Sequence, residues 1–429
     1  MGLPSVKRNI LLVVCLAFIF SSTAAPEGNG SLRAGAARVD ITPAADAALL
    51  MSGYAGRTQG FKDIHDNLSI RAIVVDDGTT QAAIISAEVI GFSHALWEKI
   101  TDRLAQETGI PRENVLLAAV HTHAAPSIGT YGQQPEGRQA LYVQRVEDAV
   151  VEALRLAKSR LQPAKVGFGS GKANVNMNRR ASDGEGGWML GNNPDGPSDK
   201  TVAAVKFESL VGEPIAIFSN YGVHGTVLGS NNLSISSDLP GATSRAVERH
   251  YGGNLVAAWT SGTAGDQDPI YRVGTDFRNV TALGRILGDE IIRVSDTIKT
   301  TQRAHIRCAQ TVVSCPGQKA VQGLPPKREY TFQDADAVPI RLSLLIVNDI
   351  AITGVSGEVL TDIGLRLKRE SPFNRTIMVT HCNGSSGYLP DDAAYEQMSY
   401  EITTAPVKRG CAEGTIVKTL LEMMSPVFY

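Results

Sequence analysis

The sequence predicts an α/β domain: a layered fold with a mixed β-sheet flanked by helices and a site at the C-terminal ends of the strands. Three observations predict it. Short β-branched or apolar runs alternate with segments of helical periodicity along most of the chain, the pattern of layered α/β folds. Several of those runs end abruptly in polar residues, and ligands of α/β sheets gather beyond the carboxyl ends of strands. Of the 429 residues, 43% are hydrophobic, enough for a substantial core and too many for a disordered or collagen-like chain.

In chain order, Lys7 and Arg8 precede an apolar run over 10–20, and the small residues Ser21, Ser22, Thr23, Ala24 and Ala25 follow. This is the layout of a secretory signal peptide. The run falls short of the ~20 residues that span a bilayer, so cleavage after Ala24 is expected and no stable membrane span. Residues 1–24 are assigned to the signal and 25–429 to a single domain, secreted or periplasmic. Loss of Lys7 and Arg8 leaves 39 basic against 43 acidic residues, too even a balance to attract nucleic acid. A small-molecule or lipid substrate is the expected partner, and oligomeric state is left open.

Helical periodicity marks 95–107, 140–159, 242–250, 281–298 and 359–369. Strand-like runs occupy 71–75, 82–86, 115–120, 165–169, 203–208, 215–219, 255–259, 342–347, 351–355 and 376–380. The Gly/Asp/Asn/Pro-rich stretch 180–198 and the stretch 315–333 are expected to be long surface loops. Export makes the four later cysteines disulfide candidates. Proximity favours Cys308 with Cys315 and Cys382 with Cys411, and the irregular spacing disfavours a zinc-thiolate cluster.

The chemistry-bearing residues sit where strands stop. The run 115–120 leads into His121-Thr122-His123, and 215–219 into Asn220-Tyr221-Gly222-Val223-His224. The run 255–259 leads towards Gly265-Asp266-Gln267-Asp268-Pro269, 351–355 into Ser356-Gly357-Glu358, and 376–380 into His381 and, further on, Tyr388. Two imidazoles, a carboxylate and a phenol make a nitrogen/oxygen set suited to zinc. Each also has a plainer reading. A lone histidine, as His65, His94, His250, His305 and His381 are read, is usually a core residue bonded to backbone; Glu358 fits the first turn of a helix; Tyr388 fits a buried phenol; Asp266 and Asp268 fit turns.

Gly35-Ala36-Ala37-Arg38-Val39-Asp40-Ile41-Thr42-Pro43, His121-Thr122-His123-Ala124-Ala125-Pro126 and Asn174-Val175-Asn176-Met177-Asn178-Arg179, with the later strand-end segments, resemble the catalytic domain of the neutral/alkaline ceramidase family. The resemblance runs through blocks over roughly 35–401. It implies zinc (Zn2+) held by His121, His224, Glu358 and Tyr388, with His123 and Arg179 near the substrate carbonyl and headgroup. It also implies a secreted zinc-dependent amidohydrolase of sphingolipid type, cleaving an amide of an N-acyl lipid. Alternatives are a metal hydrolase of a non-lipid substrate and a non-catalytic, metal-stabilised binding protein. Two departures stand out. The family's Gly-Asp-X-Ser-Pro carries a serine regarded as catalytic, whereas this chain has Asp268 there; Asp268 or Asp266 then becomes the expected proton acceptor. The chain also ends at Tyr429, and no C-terminal immunoglobulin-like domain is expected.

Overall fold

The computed structural model describes residues 1–2, 30–130, 134–252, 254–321, 323, 325–327 and 329–425. The expected signal segment 1–24 therefore lies outside the described residues, apart from its first two. Two β-sheets lie face to face and helices cover both outer faces. The larger sheet has eight strands in the order Val256–Ser261, Pro214–Tyr221, Thr201–Ser209, Gln162–Lys172, Arg33–Asp40, Ser69–Asp76, Gln81–Ala87 and Val115–Ala119. The smaller has four: Ile306–Ala320, Phe332–Val347, Ile350–Val355 and Arg375–Val379. Both are mixed, with parallel pairs at Gln81–Ala87/Val115–Ala119, Pro214–Tyr221/Val256–Ser261 and Ile350–Val355/Arg375–Val379.

Burial explains the layering. The strands are apolar on both faces, as sheets covered on both sides must be. Ile73, Ile84, Leu116, Phe207 and Phe218 of the large sheet meet Leu345, Ile350, Ile352 and Ile377 of the small one in a dry middle layer. The other face of the large sheet packs on the helices His94–Thr108, Gly137–Ser159, Asp238–Tyr251 and Phe277–Thr297. The outer face of the small sheet packs on Thr361–Glu370 and Ala412–Met424.

The large sheet is two sheets hinged together. Its halves join only through Arg33 and Ala34 against Pro163 and Gln162, and the outer strands fold back towards each other. Ser86 Oγ donates to the Trp259 carbonyl at 2.5 Å, and Thr122 bridges Gly225 beyond the strand ends. Opposite edges of the strand order therefore meet at one end, which no strand list discloses.

Three expectations are corrected. Cys315 pairs with Cys411 (Cα–Cα 5.8 Å), and Cys308 and Cys382 are free. Cys308 and Cys315 share the strand Ile306–Ala320; seven residues of strand separate them by roughly 23 Å, far beyond disulfide reach. Cys382 is fully buried in the layer between the sheets, whereas Cys411 precedes the outer helix Ala412–Met424. The expected loop 180–198 contains most of a hairpin, Asn176–Ser182 with Trp188–Asn193, its Gly/Asp-rich centre being only the turn. The expected loop 315–333 is shortened at both ends, since 315–320 and 332–333 belong to the arms of the long hairpin Ile306–Ala320/Phe332–Val347.

Candidate metal centre

Three strand ends and one short strand pair build the site. His121 follows Val115–Ala119 with φ 63°, and His381 follows Arg375–Val379 with φ 50°. The left-handed region is costly for such side chains, and residues held there cluster at functional sites. His224 lies three residues beyond Pro214–Tyr221. Glu358 and Tyr388 are direct partners in a two-stranded parallel pair, Glu358–Val359 against Tyr388–Leu389, so both side chains leave the same face. Glu358 thus lies in a strand, ahead of the helix that begins at Thr361.

These groups converge. Glu358 Oε2 lies 3.3 Å from His224 Nε2 and 3.5 Å from His121 Nε2, and His123 Nε2 is 3.2 Å from His121 Nε2. Ring nitrogens of His121, His123 and His224 fall within 4.8 Å of one another, as do ligand atoms of His121, Glu358 and His381. His121, His224, Glu358 and His381 are buried, and His123 is half-buried.

The hydrogen bonds behind the rings fix which atoms face inward. His121 Nδ1 sits 2.7 Å from the Ile90 carbonyl, and His224 Nδ1 2.6 Å from the Ala264 carbonyl. A carbonyl only accepts, so each Nδ1 carries the proton and each Nε2 presents a lone pair. His224 Nε2 is buried with no hydrogen-bond partner. Two lone pairs and a carboxylate oxygen directed at one point, backed by carbonyls, fit a metal cradle of the kind zinc occupies.

Electrostatics hold the donors in ligand form. Burial, then His381, drives His121 well below the ordinary imidazole value; burial pushes His123 down to about 3 and His381 to about 4. Burial alone would raise the Glu358 carboxyl, but the histidines around it, His121 foremost, hold it well below its usual range. At neutral pH the rings of His121, His123 and His381 are neutral and the carboxylate charged.

Tyr388 and Arg179 adjoin the cradle. Arg179 Nη2 donates to Tyr388 Oη at 2.9 Å and to the Gly265 carbonyl at 2.8 Å, Nε to Glu401 Oε1 at 2.6 Å and Nη1 to Asp268 Oδ1 at 3.2 Å. Burial would lower Arg179, but Tyr388, Asp268 and Glu401 keep it charged, well above its ordinary value. Asp268 also accepts from Thr226 Oγ1 at 3.0 Å and pairs with Arg272 Nη1 at 3.1 Å. Its burial favours protonation, yet Arg179, His224 and Arg272 hold it below the usual carboxylate value. Asp266 turns elsewhere: Oδ1 accepts from Thr361 Oγ1 at 2.7 Å and Thr361 N at 3.1 Å, and Oδ2 from Asn178 Nδ2 at 3.0 Å.

Of the residues singled out in the sequence, His121, His123, His224 and Glu358 come together, Tyr388, Arg179 and Asp268 form the adjoining wall, and Asp266 ties the loop to a helix start. Sequence reading missed His381, although it follows a strand end like the others. It also missed Gly53 and Tyr54. A Cβ on Gly53 would collide with the His123 ring, and the Tyr54 ring lies edge-on to His123 at 5.1 Å.

A layered α/β fold with a His/Glu cradle at its strand ends defines a candidate metalloenzyme class. Residues 32–276 match the family described as Neutral/alkaline non-lysosomal ceramidase, N-terminal, and the chain belongs to that family. Neutral ceramidase A of Dictyostelium discoideum is 27% identical over 294 residues, 60% of this chain and 40% of that protein. Neutral ceramidase of Pseudomonas aeruginosa is 29% identical over 272 residues, again 60% of this chain and 40% of that protein. The matches thus span well under half the length of these relatives. Among solved structures, a ceramidase complexed with C2 superimposes with TM-score 0.77 at 18% identity, covering 92% of this chain and 75% of that one. The neutral ceramidase structure from Pseudomonas aeruginosa gives 0.75 at 19% identity with the same coverage. The family match ends before Glu358 and Tyr388; the shared fold extends beyond it.

Proposed function

We propose that this protein is a secreted or periplasmic metal-dependent amidohydrolase of the neutral ceramidase type, acting on an N-acyl lipid. The observation that carries the reading is the convergence of His121 Nε2, His224 Nε2 and Glu358 Oε2, with both Nδ1 protons committed to carbonyls. His121, His224 and Glu358 would hold the ion, with Tyr388 at its edge, and the nitrogen/oxygen set favours zinc. When bound, such an ion supplies Lewis acidity towards an amide carbonyl and makes water acidic near neutral pH.

The chain's own groups do the rest. Arg179, fixed by Glu401 and Asp268, orients the Tyr388 hydroxyl and presents positive charge where an oxyanion develops. His123, neutral and steered by Gly53 and Tyr54, faces the reacting carbonyl. Asp268 is paired with two arginines and serves as their anchor, so position 268 supplies neither a serine nor a free base. The oxygen delivered to the amide therefore comes from water, and Asp266 acts at a distance by holding the loop to Thr361.

An apolar substrate portion has a place to lie. An open groove of about 570 Å3 lined by Met189, Leu190, Tyr271 and Val273 together with Asn192 and Asn279 includes Arg272, the partner of Asp268. The Cys315–Cys411 disulfide suits an oxidising compartment, and no helix among the described residues is long and apolar enough to cross a membrane. The test is a panel of N-acyl amides and esters assayed with native protein, chelated protein and Glu358→Ala. Turnover of long-chain amides that chelation and Glu358→Ala both abolish is expected. Metal-bound protein that turns over no member would make it a binding protein instead.

A further inference from the structure

His381 is a buried histidine that the proposed chemistry leaves unused. Its ring stacks on that of His121, with centroids 3.8 Å apart and planes 16° from parallel. It is 5% exposed, its Nε2 has no hydrogen-bond partner, and a ring nitrogen lies within 4.8 Å of both the Glu358 carboxylate and a His121 nitrogen. Its backbone is held at φ 50°, and the turn is pinned: His381 N donates to the Gly357 carbonyl at 3.1 Å and its carbonyl accepts from Ala119 N at 3.1 Å. The strand ends carrying His121, Glu358 and His381 are thus stitched together by backbone.

The stack decides what this ring can do. An imidazole binds an ion in its own plane at ~2.0–2.1 Å. With the rings stacked at 3.8 Å and 16° from parallel, an ion held in the plane of His121 would lie over the face of the His381 ring rather than along its lone pair, which places His381 poorly as a ligand. A phenylalanine would stack as well without the desolvation cost of burying an unpaired nitrogen, so the nitrogen has a use in the working site.

Resting on the metal-hydrolase reading, we propose that His381 is a site residue rather than a ligand: its ring face positions His121 in the cradle, and its unpartnered ring nitrogen binds a polar atom of the water or substrate beside Glu358. Two variants separate these contributions, His381→Phe keeping the face and His381→Ala removing both. The readouts are zinc affinity by chelator competition, the visible spectrum of the cobalt-loaded protein, and kcat and KM. His381→Ala is expected to keep one ion per chain with affinity weakened 10–100-fold, the usual range for groups behind a ligand. His381→Phe is expected to keep affinity within about threefold and an unchanged cobalt spectrum, with kcat lowered at least tenfold and KM little changed. Loss of stoichiometric binding in His381→Phe, matching His121→Ala, would make it a ligand and overturn the proposal. Native affinity and kcat in both variants would overturn it equally. If native protein binds zinc but hydrolyses no amide, the hydrolase reading fails, while the affinity and spectral comparisons still judge His381.

Discussion

Replacing Arg179 with methionine takes the cation from buried Glu401 and one of two from Asp268, which keeps Arg272. Asp268 and Glu401 side chains are 6% and 0% exposed, and Arg179 contacts both. Breaking a buried ion pair from one side costs about 3–5 kcal/mol, because the remaining charge has nowhere to go. With an unfolding entropy of about 2.1 cal/mol/K per residue, the 429-residue chain unfolds with about 0.9 kcal/mol/K, so Tm should fall by about 3–6 °C. The sign of the pH dependence follows. Burial without that cation disfavours the charged carboxyl, so the penalty is fully present at neutral pH and fades on acidification. In the native protein the depressed Asp268 works the other way, its stabilisation being lost as pH falls. The gap between Arg179→Met and native protein should therefore be widest near pH 7 and narrow towards pH 4. Arg179→Met/Glu401→Leu should recover part of the loss, since removing both partners of a buried pair is far milder than removing one. Calorimetry across that range checks it; a pH-independent deficit below about 1 kcal/mol would refute the buried-network reasoning.

Chelated protein should lose stability as pH drops below about 6.5. His123 and His381, with folded values of about 3 and 4, stay neutral while the unfolded chain binds protons, at roughly 1.4 kcal/mol per pH unit for each ring; urea midpoints at pH 7 and 5 measure it. Cys315→Ser should cost about 4–5 kcal/mol, since the bridge closes a loop of 96 residues, whereas Cys308→Ser should leave the urea midpoint unchanged. Gly53→Ala, at φ 98° and with its Cβ against His123, should lower kcat at least tenfold while zinc stoichiometry stays at one.

Most helices and interior strands were legible because burial on one stripe or on both faces leaves a periodic apolar record. The strand Arg33–Asp40 was not read as a strand, because its run of alanine and glycine carries a single β-branched residue, Val39. Those small residues are needed there: a Cβ at Gly35 would collide with the Ala157 carbonyl of the covering helix. The hairpin Asn176–Asn193 was hidden by its own turn residues, and the disulfide by ignorance of which cysteines share a strand. In the site, residue types and strand-end positions marked His121, His224 and Glu358, but only the fold-back of the large sheet brings opposite edges together. His381 escaped because a lone histidine reads as a core residue, and only the fold brings it against His121 and Glu358.

The central claim is that His121, His224 and Glu358 hold one divalent ion on which hydrolysis depends. Elemental analysis of the purified protein and of His224→Ala, alongside hydrolysis of an N-acyl amide before and after chelation, tests it most directly. The account predicts about one zinc per native chain, little in the variant, and activity that vanishes on chelation and returns with zinc. Full activity in protein stripped of metal would contradict it.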